Sequence, residues 1–243
     1  MTHDMEQTEQ TEQRQTGQTE QTRQTKQDGQ AGQTGQTERR SQTTAERVKD
    51  IKRTFRLYMN GAAARSMRDK GLDYRVIWGV PLPELKRMAE GIGKDRVLAE
   101  ALFADDCRES KILAVMTMPP ATVTADDAER WMARITTQET AEMAALYLFR
   151  HVPCASDIAF RWIASDDALH RLCGFNVLTR LFMDGREPNP RAVNEYADQL
   201  AAALRDVSLP VRKAALASAW RFAELGIVYS RIADSVLRQA GIE

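Results

Sequence analysis

Cysteine and histidine are scarce in this chain, three of each. The cysteines, Cys107, Cys154 and Cys173, form no C-x-x-C pair and lie in apolar helical surroundings. That spacing argues against a disulfide framework and reads as small core residues in a reducing cytoplasm. The histidines, His3, His151 and His170, have no ligand spacing with one another or with cysteine, so neither a metal nor a cofactor is expected. There is no P-loop and no Rossmann glycine fingerprint, which removes the common nucleotide-dependent enzymes. No apolar run approaches the ~20 residues of a membrane-spanning helix. Net charge is missing too, because 34 Lys/Arg balance 34 Asp/Glu. A nucleic-acid site would have to come from local clustering of cations.

The first 43 residues lack almost everything a core needs. Glutamine falls on every third position from Gln18 to Gln36, with Ala31 the one aliphatic residue in that stretch and no aromatic. Nothing there offsets the entropy of ordering the chain, so this segment is expected to be a disordered tail. It has no apolar core of a secretory signal and is too acidic for a typical transit peptide. The tail holds five Lys/Arg and seven Asp/Glu. Residues 44–243 therefore carry 29 Lys/Arg against 27 Asp/Glu, and their length is enough for one helical domain with a sizeable core.

What the chain does have is helical periodicity and a repeat. Ala128-Glu129-Arg130-Trp131-Met132-Ala133 returns 31 residues later as Ala159-Phe160-Arg161-Trp162-Ile163-Ala164. Each copy sits on an apolar-periodic segment followed by a second one. A two-helix unit of this length cannot bury its apolar face alone, so copies stack into an α-solenoid. Trp131 and Trp162, in the first helices of their pairs, are assigned to packing between repeats. The same pattern predicts helices over 44–59, 62–69 and from Pro83 to the Gly91/Gly93 stop. Further helices are predicted over 94–104, 108–118, 126–135, 139–151, 156–164, 166–183, 191–205, 210–225 and 228–239. No period-two alternation is present, so the class is all-α.

Cations cluster early. Between Arg47 and Arg75 nine Lys/Arg stand against Asp50, Asp69 and Asp73. This is either a solvated helix face or a phosphate-contacting surface.

Two passages carry a resemblance. Ala64-Arg65-Ser66-Met67-Arg68-Asp69 resembles an Ala-Arg-aromatic-Met-basic pattern. Gly79-Val80-Pro81-Leu82-Pro83-Glu84-Leu85-Lys86 resembles Gly-aliphatic-x-x-Pro-Glu-x-basic before a helix. Both are similar to the DNA alkylation repair enzymes, the HEAT-like-repeat alkylpurine DNA glycosylases, and the resemblance extends over most of residues 44–243. It implies a C-shaped stack of antiparallel helix pairs whose basic concave face holds double-stranded DNA. It also implies a DNA glycosylase, a hydrolase of the N-glycosidic bond of cationic N3- or N7-alkylated purines. Such a reaction needs a carboxylate near the deoxyribose to stabilise the developing oxocarbenium ion, helped by aromatic faces.

Carried over by position, the resemblance puts that carboxylate at Asp157, although the Trp-Asp that should precede it is absent. Asp157 also reads as an acid in the first turn of a helix capped by Ser156. Ser66 stands at one aromatic position and Ala217 at another. Trp220, three residues on, either shares that face or packs in the core. The DNA-binding positions implied are Arg65, Arg68, Lys70, Arg108, Lys111, Arg171, Arg212 and Lys213, most of them near the start of a helix, where backbone N–H dipoles add to the cations. Glu109, flanked by Arg108 and Lys111, reads as a local ion-pair partner. The expectation is a cytoplasmic, monomeric DNA-binding protein. A non-catalytic repeat scaffold that binds DNA or docks a protein partner is the alternative.

Overall fold

The computed structural model describes residues 42–242, so the expectation of a disordered 1–43 tail lies almost wholly outside the described residues. The chain divides after Arg47, and residues 48–243 form one compact unit. Twelve α-helices run through the described residues, which contain no strand, only an isolated bridge between Val76 and Cys107.

Helix α1 (Thr44–Leu57) opens with Thr43 and Glu46 bonding each other's side chain and backbone, so the cap is Thr43. Its stripe buries Ile51 and Phe55. A short helix α2 (Gly61–Asp69) is capped by Asn60, whose side chain accepts from Ala63 N–H at 3.0 Å. Helix α3 (Leu82–Ile92) starts on a proline and stops at Gly93, which takes φ +77°, a conformation only glycine adopts freely.

Four helix pairs follow: α4 (Arg96–Phe103) with α5 (Arg108–Thr117), α6 (Ala125–Met132) with α7 (Gln138–Tyr147), α8 (Ala155–Ile163) with α9 (Ala168–Met183), and α10 (Pro190–Ala203) with α11 (Leu209–Ala223). The last helix, α12 (Ile227–Gln239), packs on the final pair. Local capping explains most of the starts: Asp95, Thr124, Thr137, Asp167 and Asn189 each accept a backbone N–H of the first turn. The second helices stack in one layer, α5 on α7 on α9 on α11, with α3 laid against α5. The first helices make the other layer.

The sequence repeat is visible as a ladder between first helices. Trp131 Nε1 donates to Glu100 at 3.0 Å and Arg130 reaches the same carboxylate at 3.2 Å. One repeat on, Trp162 Nε1 and Arg161 both reach Glu129 at 3.0 Å. Both indoles are buried, and Trp131 stacks on Phe103 with ring centroids 4.1 Å apart. In the third copy Phe160 stands where glutamate would be, and the ladder ends there. Beyond it, the aromatic cluster of Phe182, Tyr196, Phe222 and Tyr229 joins the last repeats. Where α8 crosses α9 the backbones come so close that a Cβ on Gly174 would sit 2.9 Å from Ala159 O.

Candidate nucleic-acid interface

The most elaborately anchored surface segment is α2 with the loop that follows it. Ala64, Tyr74 and Ile77, with Met67 and Leu72 packed against them, make a small core of their own. Tyr74 then fastens this unit to the start of α7, its hydroxyl 2.6 Å from Thr137 Oγ1 and 2.5 Å from Thr140 Oγ1. Glu109, at the start of α5 and fully buried, accepts from the backbone N–H groups of Trp78, Gly79 and Val80 at 3.1, 2.9 and 3.3 Å. A buried carboxylate is tolerated when its lone pairs are filled in this way. Gly79, at φ +74°, passes so close to α2 that a Cβ there would lie 2.3 Å from Asn60 O.

This anchorage presents α2 with its apolar side inward and Arg65, Arg68 and Lys70 outward, all exposed and without an ion pair among the described residues. Lys70 also lines a cleft shared with Thr137, Glu139 and Glu142 of the α7 start. Lys213, the fifth residue of α11, is exposed as well.

The other four expected cations are engaged within the fold. Arg108 is buried, its Nε and Nη2 gripping Glu139 at 2.8 and 2.6 Å while Nη1 reaches Glu109 at 3.2 Å. Lys111 donates to Phe103 O at 3.3 Å and lies over that ring, and burial, followed by the charge of Arg134, pulls its pKa down. Arg171 bonds Asp206 at 2.7 Å and Ser165 O at 2.8 Å. Arg212 donates to Asp206 O at 2.5 Å. Helix starts in a stacked repeat meet carbonyls of their own pair and carboxylates of the next repeat, so long cations there become glue within a repeat, as for Lys111 and Arg212, or between repeats, as for Arg108 and Arg171. The acceptors Glu139 and Asp206 were not singled out from the sequence; the one available signal was that Glu139 lies a single 31-residue repeat after Arg108.

The sequence model of the DNA alkylation repair enzyme family matches residues 51–227. The chain belongs to that family. A solved structure that resembles it, with TM-score 0.69 at 17% identity over 79% of this chain and 82% of the other, is of a protein from a family related to the HEAT-like repeat DNA glycosylases with affinity for branched DNA structures. At that identity the likeness establishes the HEAT-like repeat fold. No curated protein matches the chain.

Against this family background the three reacting positions can be located. Asp157 lies in the first turn of α8, exposed, in a groove against α10 with Phe160, Ala192 and Glu195. That helix belongs to the first-helix layer, whereas Lys213 and the engaged cations all sit on second helices. Its helix starts after Cys154, so Ser156 lies inside the first turn and caps nothing. Ser66 and Ala217 bring no aromatic ring, and Trp220, at 58% exposed, does not pack in the core. Glu109, read as an ion-pair partner, does meet Arg108, yet its main work is holding the 78–80 backbone. Among the described residues no His/Cys/Asp/Glu group could hold a metal ion, and no helix is long and apolar enough to cross a membrane.

Proposed function

We propose that this DNA alkylation repair family protein binds DNA, duplex or branched, through Arg65, Arg68, Lys70 and Lys213, and does so without excising a base. The observation that carries the reading is the α2 face: Arg65 and Arg68 on the helix and Lys70 just past its end, exposed and in no ion pair among the described residues, on a segment anchored by Tyr74 and Glu109. Cations fixed in place beside one another suit the phosphate backbone, whose neutralisation releases counterions and supplies sequence-independent affinity. The related protein's affinity for branched DNA structures supports DNA as the partner.

Hydrolysis of a cationic N3- or N7-alkylpurine would rest on Asp157. Its place on the opposite layer from Lys213, with Ser66 and Ala217 where aromatic faces belong, argues for binding without excision. The deciding experiment measures DNA affinity by anisotropy on duplex and four-way junction across a salt series, beside release of N7-methylguanine from duplex by wild type and Asp157→Asn. Salt-dependent binding with no base release is the expected result. Release by wild type that collapses in Asp157→Asn would make this a glycosylase. Binding that is absent at low salt would overturn the DNA reading altogether.

A further inference from the structure

Three second-layer helices carry a phenylalanine at or just past their end, two residues after Tyr147, Arg180 and Trp220: Phe149, in the short turn that follows α7, Phe182 in α9 and Phe222 in α11. The phenylalanine of each is buried and directed at the first-helix layer. Phe149 meets Trp162 of α8 edge-on, and both Phe182 and Phe222 meet Tyr196 of α10. In a helix the residue two places earlier lies about 200° round the axis, so Arg180 and Trp220 turn to the solvent side of the second layer. Tyr147, half-buried and packed partly on the core, has the Nζ of the exposed Lys86 of α3 5.5 Å from its ring. Across adjacent helices the order is therefore Lys86, Tyr147, Arg180, Trp220: cation, aromatic, cation, aromatic.

Lys86 and Trp220 are exposed, and Tyr147 and Arg180 are half-buried. Trp220 is an exposed large aromatic, and the polar contact of the Arg180 guanidinium within the described residues is a weak one to Met183 Sδ at 3.7 Å. The carboxylates nearest the row in sequence are already held, Asp184 by Arg150 and Glu224 by Arg221, each at 2.8 Å. With helices packed roughly 8–10 Å apart, the row runs about 20 Å from Tyr147 to Trp220.

We infer that this row is a track for an unpaired DNA strand. The inference rests on the DNA-binding reading above and adds to it a second, chemically different site. Duplex DNA shows base edges and phosphates, so exposed aromatic faces gain nothing from it. Unstacked bases offer a π-face whatever their sequence, and phosphates between them suit interleaved cations. A branch point supplies such bases next to duplex arms, which the α2 cations would hold.

The test is titration of a 16-mer oligo(dT) and of a blunt duplex into the full chain, followed by anisotropy and by tryptophan fluorescence. Trp131 and Trp162 are buried and Trp78 is half-buried, so stacking is expected to quench Trp220. In Trp220→Leu, a surface change, the quench should vanish and oligo(dT) affinity should fall about tenfold, while duplex affinity stays. Trp220→Phe should recover most of that affinity. Arg180→Gln should lower the salt slope for oligo(dT) by about one unit. Unchanged oligo(dT) binding in Trp220→Leu, or equal losses on oligo(dT) and duplex, would overturn the track and leave the DNA-binding reading standing. No binding of any DNA by wild type would overturn both.

Discussion

At the scale of single residues, Glu109 shows how a charge at a site can be structural. It lies wholly inside the protein, and its oxygens are shared among three backbone N–H groups and the Arg108 guanidinium. Removing it strands those donors and leaves Arg108 with Glu139 as its one carboxylate. Glu109→Ala is expected to cost about 3 kcal/mol of stability, read as a lowered denaturant midpoint. Below the new midpoint it should also weaken duplex binding, because the 76–80 loop that carries α2 loses its anchor, although Glu109 itself touches no ligand. An unchanged midpoint would refute the staple. Arg108 makes the complementary point: adjacency to Lys111 at a helix start reads as a cationic site, yet desolvation makes a buried guanidinium seek carboxylates, and Glu139 supplies one.

At the scale of elements, the ladder between first helices explains why a hexapeptide recurs. Glu129 accepts from both Arg161 and Trp162, as Glu100 does from Arg130 and Trp131. A double-mutant cycle of Glu129→Ala with Trp162→Phe should return a coupling of about 1 kcal/mol, and additivity would mean the indole bond contributes nothing. The same interface holds Asp127, the N3 residue of the α6 capping box. The hydrogen bond from Arg96 at 2.7 Å, opposed by burial and helped by Thr124 N–H and Arg130, lowers its pKa from 3.8 to about 2. The folded state thus binds this proton more weakly than the unfolded chain. Its contribution, on the order of 2 kcal/mol at most, is fully present above the ordinary carboxylate value and lost as pH falls towards 2. Asp127→Asn should flatten the acid limb of stability over that window; a limb of unchanged steepness would assign acid sensitivity elsewhere.

At the scale of the whole molecule, the 48–243 unit separates its cations into two classes. Arg108 and Arg171 join one repeat to the next, Lys111 and Arg212 tie together the parts of their own helix pairs, and Arg65, Arg68, Lys70 and Lys213 are exposed. The distinction predicts different phenotypes. Arg68→Gln and Lys213→Gln should each lower the slope of log affinity against log salt by about one unit without shifting thermal stability. Arg171→Gln should do the reverse, lowering stability while the slope per folded molecule stays. Equal slopes for all three variants would dissolve the two classes.

The sequence by itself determined the helices and their pairing. Periodicity and breakers such as Gly93 act within a turn or two of the chain, so each helix was legible to within about three residues at most boundaries. The 31-residue echo likewise announced stacked pairs, because the residues that bind one repeat to the next must themselves repeat. The site was legible only as composition. Whether an arginine faces solvent depends on a partner some thirty residues away: Glu139 for Arg108, Asp206 for Arg171. Whether Trp220 is core or surface depends on which side of α11 meets α10. Those outcomes follow from the register of one helix against another, and only the tertiary structure sets it.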